Sequence, residues 1–379
     1  MDLVIDGNAF LNVAISVTKS AGAKDLRVGE AYWVADLFNE GKFMLKEHSR
    51  TSFRNFCFTY LNSLIVPIGS SLRSVHFVFD SKSWRKEYIS SFFKSSEFKT
   101  TSAPTEFTYK GNRKYDDHQY LFFDYFQQVI MPAMTNQCGI NSYRFRGTEG
   151  DDIIAYLCNL IKEDILIYSV DQDLKQLVEN PDKNVLLIVP KQMSKTKKLF
   201  VPMTLVPEKA ETEEDDFFSL SEAHIGSSTV SKVITNLKSK DYAEFRVNAT
   251  EEILTKVLLG DKSDHIPRLT SLTPLKGKKI IANTINKYPE SVLKLIDTLD
   301  PEFIGFLISE IAEANKIKDA DKIDEIRTHL IFNIRIIRLS ISVFPDEIRE
   351  ALDQFFKEYS ITKFNSKEFS NLKNNLSSI

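Results

Sequence analysis

The fold is decided by one stretch of the sequence, residues 149–177, which reads EGDDIIAYLCNLIKEDILIYSVDQDLKQL. After the first acids, apolar residues recur at helical spacing, and a short apolar run, ILIY, follows a polar break. A helix that leads into a short buried strand is the repeating unit of an α/β fold with a parallel sheet. The strand is followed at once by two further acids, Asp171 and Asp173.

The same alternation of short apolar runs and longer helical patterns extends over the first 190 residues. Helices are predicted at about 42–66, 115–136 and 149–162. The predicted fold class for residues 1–190 is α/β, with a mainly parallel sheet flanked by helices. Strands are predicted at Leu3–Ile5, Val75–Phe79, Ser142–Phe145, Ile165–Tyr168 and Val185–Val189.

The remaining sequence divides into two further regions of different character. Residues 191–247 begin with a run of lysines and continue with a run of acids, which predicts an insertion or linker. Residues 248–379 have long amphipathic patterns and are predicted to form an α-helical domain. The last residues, SKEFSNLKNNLSSI, are polar and are expected to be loosely held.

Composition excludes several classes of protein for a chain of 379 residues. The formal charge of −3 is too near neutral for a histone-like nucleic-acid coat, so any binding of nucleic acid must use local patches. Three cysteines without a CxxC pair predict neither a disulfide framework nor a zinc site. The amino terminus has no basic region before an apolar stretch, and no window of about 18 apolar residues occurs. The expectation is a protein of a reducing cytoplasm, with no signal peptide and no membrane span.

Acidic residues concentrate where the predicted strands end and where one helix begins. Any one of them alone is more often a turn residue or a helix cap, and both interpretations stay open for single acids. Several acids crowded together repel one another unless a cation separates them, and oxygen ligands without His or Cys indicate Mg²⁺ or Mn²⁺. The set is large enough for two ions. It consists of Asp6, Asp80, Glu149, Asp151, Asp152, Asp171, Asp173, Asp261 and Asp264.

A basic segment follows the second predicted strand. Between Ser81 and Lys114 there are eight cations and three acids. The block Tyr109–Lys114, YKGNRK, combines an aromatic ring with cations, a mixture that can stack a base and hold its phosphate. The alternative is a solvated basic loop whose phenylalanines pack onto the core.

Six short blocks, taken together, resemble the 5′-nuclease superfamily of flap endonucleases, the 5′ nuclease domains of bacterial DNA polymerases, and phage ribonuclease H and 5′ exonucleases. The compact phage-type enzymes are the most similar. The blocks stand in the family order and carry all nine acids. They are IDGNAF at 5–10, VFD at 78–80, YKGNRK at 109–114, EGDDIIAYL at 149–157, SVDQDLKQL at 169–177 and GDKSDHIP at 260–267.

The resemblance implies a PIN-like core, a helical arch at about 82–125, and a helix–hairpin–helix at about 260–287. In the core, a first Mg²⁺ would be held by Asp6, Asp80, Glu149 and Asp151, with Asp152 nearby, and a second by Asp171, Asp173, Asp261 and Asp264. Mn²⁺ is expected to substitute.

The resemblance also implies residues that act on nucleic acid. Lys110 and Arg113 would be catalytic contacts to the scissile phosphate, and Tyr109 would stack on an unpaired base. Further nucleic-acid contacts would come from Lys82, Arg85, Lys86, Lys114, Lys276, Gly277, Lys278 and Lys279. A K⁺ ion at the helix–hairpin–helix is left open, because His265 and Arg268 stand where the family usually has Asn and Gly.

The predicted function is a structure-specific 5′ nuclease, a flap endonuclease or 5′-3′ exonuclease with two-metal catalysis, serving DNA replication or repair. Its expected partners are branched DNA or RNA·DNA with a 5′ single-stranded end, and replication proteins such as a single-strand-binding protein or sliding clamp. A monomer is expected. The predicted activity includes ribonuclease H-type removal of RNA primers. The alternatives are a non-catalytic DNA-junction-binding replication factor and a PIN-type ribonuclease.

Overall fold

The computed structural model describes most of the chain. Within the described residues the predicted α/β class with a mainly parallel sheet is confirmed. These residues are 1–23, 34–37, 42–94, 119–178, 183–192, 200–207, 232–233, 235–236, 243–262, 264, 266–269, 272–289 and 292–376.

One sheet organises the amino-terminal part. Its strands are β1 (Asp2–Asp6), β4 (Ser74–Val78), β5 (Asn141–Tyr143), β6 (Ile165–Tyr168), β7 (Val185–Gln192), β8 (Phe200–Pro207) and β9 (Ala243–Val247). Among the described residues the strand order is β5-β4-β1-β6-β7-β8-β9, and every neighbouring pair is parallel except β7 with β8. A separate antiparallel pair consists of β2 (Val34–Leu37) and β3 (Lys42–Leu45).

Helices cover the sheet and form the rest of the described chain. In the first half they are α1 (Gly7–Ala23), α2 (Glu47–Ile65), α3 (Trp84–Lys94), α4 (Gln119–Tyr125), α5 (Met131–Cys138) and α6 (Gly150–Leu160). A π-helical turn, Phe126–Ile130, joins α4 to α5, and a 3₁₀ helix, Gln172–Leu177, follows β6. The later helices are α7 (Ala249–Leu259), α8 (Pro274–Lys287), α9 (Val292–Asp297), α10 (Pro301–Asn315), α11 (Ala320–Ile337), α12 (Asp346–Glu358) and α13 (Ser366–Asn374).

Alternation along the strands produces two cores. Leu3 and Ile5 of β1 face the core under α1, α2, α4 and α5, whereas Val4 faces the core under α6. The strands β6 and β7 divide their side chains in the same way, because successive residues of a strand point to opposite faces. The central strands are therefore apolar on both faces, as parallel strands covered by helices must be.

Three predicted boundaries are wrong. Residues 42–45 form β3, so the helix begins at Glu47 and not at 42. The segment 191–247 is not simply an insertion or linker, because β7 continues to Gln192 and the strands β8 and β9 extend the sheet. Residues 193–199, 208–231, 234 and 237–242 lie outside the described residues.

The third boundary is the end of the helical domain, which was predicted at residue 379. Residues 248–337 form the helical domain around a third core, but α12 and α13 pack on the α/β core. Phe369 is buried and stacks on Phe58 of α2, with 5.7 Å between ring centroids. The Asn141 side chain bonds the backbone of Thr362 through both its amide atoms. The predicted loosely held tail is in fact docked through residue 376.

The helix–hairpin–helix region also differs from the prediction. Gly277 lies in the first turn of α8, where its N–H donates to the Thr273 carbonyl oxygen at 2.9 Å. A Cβ at this position would approach the Leu259 side chain of α7 to 2.5 Å. Gly277 therefore permits close packing of two helices and does not offer a free amide to a phosphate, which corrects its predicted nucleic-acid role.

No helix in the described part of the chain is long and apolar enough to cross a membrane.

A buried ion pair stabilises the end of the sheet opposite the strand-end acids. Asp2 is fully buried, accepts a hydrogen bond from Arg73 Nε at 2.8 Å, and lies 3.2 Å from His76 Nε2. Burial alone would raise the pKa of Asp2, but hydrogen bonds with Arg73 and His76 together lower it to about 2. The folded state therefore binds this proton more weakly than the unfolded chain does.

Asp2 should make the fold sensitive to acid. Because its pKa is lower in the folded state, its contribution to stability is present above the ordinary value of 3.8 and is lost as the pH falls toward 2. That contribution is about 2 kcal/mol at neutral pH. Urea unfolding between pH 2 and pH 6 measures it. Asp2→Asn should flatten the curve in this range, and an unchanged slope would contradict the assignment.

The docked carboxyl-terminal helix should contribute to global stability. Phe369→Ala removes a buried ring from the first core and should lower the free energy of unfolding by about 3–5 kcal/mol. Asn374→Ala, at an exposed position on the same helix, is the matched control and should change it by less than about 0.5 kcal/mol. Equal, small effects of both would show that this helix is not part of the cooperative fold.

Candidate metal and nuclease site

Asp6 ends β1 at the carboxyl edge of the sheet. Its carboxylate accepts hydrogen bonds from the Ala9 N–H at 2.9 Å and from Ser169 Oγ at 2.6 Å. Burial raises the pKa of Asp6 to about 6, against these two hydrogen bonds, and the charges of Asp80 and Asp171 add to the rise. Three acids from three adjacent strand ends are therefore close enough to interact.

Asp80 follows β4 and is held by two neighbours. Its carboxylate accepts a hydrogen bond from the Asn8 side-chain amide and another from the Gly150 N–H at 2.7 Å. A Cβ on residue 150 would lie 3.0 Å from Asp80 Oδ1. Glycine at the start of α6 is therefore what lets the backbone of α6 approach Asp80 so closely.

Asp171 and Asp173 follow β6 in the turn that opens the 3₁₀ helix. Asp171 caps this helix by accepting a hydrogen bond from the Asp173 N–H at 2.9 Å. Its own N–H donates to Ser169 Oγ at 3.0 Å. Ser169 thus fixes Asp6 and the Asp171 turn at once. Burial and the charge of Asp171 raise the pKa of Asp173 to about 6, with Asp264 adding a smaller rise.

A lysine of α7 lies among the second group of acids. Lys256 Nζ contacts Asp173 and lies 2.6 Å from Asp261 Oδ2. Burial alone would lower the pKa of Lys256, but these two carboxylates raise it. Asp261 is placed by a turn in which its N–H and C=O pair with those of Ile266. An ammonium group thus bridges acids that the sequence assigned to one metal region.

Glu149 and Asp152 form the beginning of α6. Glu149 is the N-cap residue, and the two side chains bond each other's backbone N–H groups in a capping box. Asp152 is fully buried, and it also accepts a hydrogen bond from Trp84 Nε1 at 3.1 Å and pairs with Arg85 Nη1 at 2.7 Å. This environment corrects the metal role predicted for Asp152, because its oxygens face protein donors.

The nucleic-acid contact predicted for Arg85 is also corrected by the structure. Its side chain is buried and pairs with Asp152 and, at 3.4 Å, with Glu149. A guanidinium enclosed in this way cannot contact a phosphate at the surface. The predicted nucleic-acid contact is replaced by an internal ion pair.

The other predicted basic residues fall into two groups. Lys82, Lys86, Lys278 and Lys279 are exposed, although Lys82 pairs with Glu87 at 2.7 Å, and Lys276 Nζ donates to Asn315 at 2.9 Å. Tyr109, Lys110, Arg113 and Lys114 lie outside the described residues, as does most of the predicted arch.

Sequence reasoning missed the residues that hold the acids in place. Asn8 and Ser169 stand inside the blocks IDGNAF and SVDQDLKQL, so their position beside the acids was a usable signal. Lys256 had only a weak signal, because a lysine five residues before Asp261 on an amphipathic helix ordinarily points to solvent.

The chemistry of the donor set fits a divalent cation. Asp6, Asp80, Asp171 and Asp173 supply carboxylate oxygens, which Mg²⁺ and Mn²⁺ prefer. Burial raises the pKa of Asp6, and the charges of Asp80 and Asp171 add to the rise, so a cation at this edge would stabilise the ionised carboxylate. Among the described residues, however, no group of three or more His, Cys, Asp or Glu side chains lies close enough together to hold a metal ion.

Comparison with known proteins finds similarity to 5′-3′ exonucleases. Residues 44–209 match the family described as the 5′-3′ exonuclease, N-terminal resolvase-like domain. A 5′-3′ exonuclease of Mycoplasmopsis pulmonis (strain UAB CTIP) is 25% identical over 273 residues, covering 68% of this chain and 71% of that protein. These matches confirm the resemblance to 5′ nucleases and support a nuclease hydrolase.

Solved structures show weaker likenesses. A bacteriophage T5 flap endonuclease in complex with DNA and metal ions has a TM-score of 0.41 and 14% identity, covering 94% of this chain and 98% of that chain. Human GEN1 bound to Holliday junction DNA has a TM-score of 0.33 and 12% identity, covering 86% of this chain and 60% of that chain. With TM-scores below 0.5, neither likeness bears on the function of this chain.

Gly150 provides a test of the site. Gly150→Ala places a methyl group 3.0 Å from Asp80 Oδ1 and should displace that carboxylate. Since a bound ion stabilises the fold by an amount that rises with the logarithm of its concentration relative to its Kd, the dependence of the Tm on Mg²⁺ concentration measures the effect. About tenfold more Mg²⁺ should be needed for the same rise in Tm. Gly305→Ala, where a Cβ meets nothing within 4 Å, is the control and should leave the Mg²⁺ dependence unchanged. Identical dependence in both variants would separate Asp80 from metal binding.

Proposed function

We propose that this protein is a Mg²⁺-dependent, structure-specific 5′ nuclease that hydrolyses phosphodiesters near junctions of single-stranded and duplex nucleic acid. The observation that carries the proposal is the meeting of Asp6, Asp80 and Asp171 at three adjacent strand ends, where burial raises the pKa of Asp6 and the charges of Asp80 and Asp171 add to the rise. The match to 5′-3′ exonucleases over residues 44–209 supports it, because that segment contains Asp80 and Asp171.

The residues that would hold the first ion are Asp6, Asp80, Glu149 and Asp151. Asn8 and the Gly150 N–H orient Asp80, and Ser169 orients Asp6. Each of these donors restricts a carboxylate to one direction, so that little rearrangement entropy is lost when a cation binds. An ion of this kind supplies a water activated for attack and stabilisation of the phosphate oxygens.

The second group consists of Asp171, Asp173, Asp261 and Asp264. Lys256 neutralises part of their charge by pairing with Asp173 and Asp261. The same ammonium would reduce the repulsion between these acids and a phosphate bound beside them. Lys256 is therefore added to the residues proposed for catalysis, beside Lys110 and Arg113.

Nucleic acid is proposed to reach this edge along surfaces of local positive charge. Lys278 and Lys279 on α8 are exposed and suit phosphates of a duplex. The block Tyr109–Lys114 suits a single-stranded 5′ end, since it pairs an aromatic ring with cations. DNA flaps and RNA·DNA primers both present such an end. A protein that only binds junctions would need these surfaces but not the acids.

Asp6→Asn tests the proposal and separates it from a binding-only protein. The substitution removes one charge from the strand-end acids and should lower Mg²⁺-dependent cleavage of an end-labelled flap by at least about a hundredfold, while the affinity for the flap in Ca²⁺ stays within about threefold. Single-turnover cleavage and filter binding measure the two quantities.

Asp2→Asn is the matched control, because Asp2 is a buried acid at the other end of the same strand. It should lower stability but leave the cleavage rate unchanged at a temperature where it is folded. Wild-type protein that binds flaps without cutting flaps, nicked duplexes or RNA·DNA in Mg²⁺ would favour the junction-binding alternative.

A further inference from the structure

Arg85 has an environment that differs from those of Lys82, Lys86, Lys276, Lys278 and Lys279, the other described cations predicted to contact nucleic acid. It lies in the first turn of α3, and only 1% of the residue is exposed. Its N–H donates to Ser83 Oγ at 3.2 Å, and its guanidinium lies 4.7 Å from the centre of the Trp84 ring. A buried guanidinium is costly unless carboxylates and hydrogen bonds compensate it, so its partners indicate what it does.

The first partners are the two acids that open α6. Arg85 Nη1 lies 2.7 Å from Asp152 Oδ1 and 3.4 Å from Glu149 Oε2. The other oxygen of Asp152 accepts from Trp84 Nε1 at 3.1 Å and from the Glu149 N–H at 3.0 Å. Both the backbone and the carboxylate of Glu149 are thus held by one group of side chains. Without the cation, two carboxylates three residues apart would repel each other in a buried place.

The third partner belongs to the helical domain. Arg85 Nε donates to the carbonyl oxygen of Ile336, in the last turn of α11, at 3.0 Å. Two more residues of α3 continue this contact, since Tyr88 and Phe92 stack on Phe332, with ring centroids 6.0 Å and 4.2 Å away. The planar guanidinium therefore joins α3, α6 and α11 at a single point, which a lysine ammonium would not reproduce.

We propose that Arg85 is a positioning residue for metal binding: by holding Asp152 and Glu149 against α11, it fixes the orientation of the Glu149 carboxylate. The inference rests on the proposed function, in which Glu149 is a ligand of the first ion. It does not require Arg85 to touch the ion or the nucleic acid. It also makes the docking of the helical domain a condition of a complete ligand set.

The test measures the affinity of the full chain for Mn²⁺ in the absence of nucleic acid, by electron paramagnetic resonance of the free ion. Arg85→Met should weaken Mn²⁺ binding by about tenfold or more, the size usual for loss of a group that orients a ligand. Arg85→Lys should recover part of the lost Mn²⁺ affinity, because lysine restores the positive charge but not the planar guanidinium with its several N–H donors. Trp84→Phe, which removes one hydrogen bond to Asp152 and keeps the ring, should weaken binding several-fold and carries the test if Arg85→Met does not fold.

The matched control is the ion pair at the opposite end of the sheet. Arg73→Met and Arg73→Lys disturb the buried Asp2 in the same way and should lower the Tm, but they should leave the Mn²⁺ affinity within about twofold of wild type. A merely structural Arg85 would behave like Arg73 at equal loss of Tm. That result would overturn the inference, as would unchanged Mn²⁺ affinity in the Arg85 variants or no Mn²⁺ binding by the wild type.

Failure of the proposed function has a different signature. Wild-type protein that binds Mn²⁺ but cuts no substrate would contradict the nuclease proposal, while the Arg85 comparison would still be decided. Wild-type protein that cuts flaps, with Arg85 variants that bind Mn²⁺ as well as wild type does, would contradict the Arg85 inference alone.

Discussion

Repulsion among carboxylates at one edge of the sheet is the constraint on which the rest of the site depends. Parallel strands place their carboxyl ends side by side, so acids that follow β1, β4 and β6 must meet. Burial makes the meeting costly, as the raised pKa of Asp6 shows. Three neighbouring groups reduce this cost or prevent the acids from turning away: an amide from Asn8, a hydroxyl from Ser169, and an ammonium from Lys256.

The second level of organisation is the contact between the α/β core and the helical domain. The 3₁₀ helix after β6 is attached to that domain by Gln176, whose side chain accepts hydrogen bonds from Arg338 and the Leu339 N–H. Arg338 in turn is paired with Asp297 of α9 at 2.6 Å. Asp171 and Asp173 therefore stand on a short element fixed at both sides. The geometry of the acids is a property of the two units together.

Much of the α/β core could be predicted from the sequence because its signals are local. The strands at Leu3–Ile5 and Ile165–Tyr168 have an apolar residue at every position, and each is followed directly by polar residues, so that strand ends and acids were found together. The roles of Asp152 and Arg85 could not be predicted. In a sequence, a charged residue is ordinarily taken to be exposed. Only the packing of α3 against α6 and α11 shows that the Asp152 carboxylate and the Arg85 guanidinium are buried against each other.

Long-range packing explains the other errors. Nothing near Gly277 in the sequence distinguishes a hairpin turn from a helix contact, which depends on Leu259 eighteen residues earlier. The strands β8 and β9 follow segments rich in charge, and their partners decide their structure. The helix α13 is polar and has few apolar residues, but its Phe369 and Leu372 side chains are buried in the first core.

The position of α13 has a consequence for the synthesis of the protein. Its buried residues belong to the same core as Leu3 and Ile5, so the first strand and the last described helix share one apolar interior. A ribosome that has produced the whole sheet still leaves the face of α2 around Phe58 uncovered until residue 372 has emerged. Domains generally form as units during translation, and this core cannot close until α13 has been synthesised. The aromatic surface of α2 around Phe58 therefore stays exposed on the nascent chain until α13 has been synthesised.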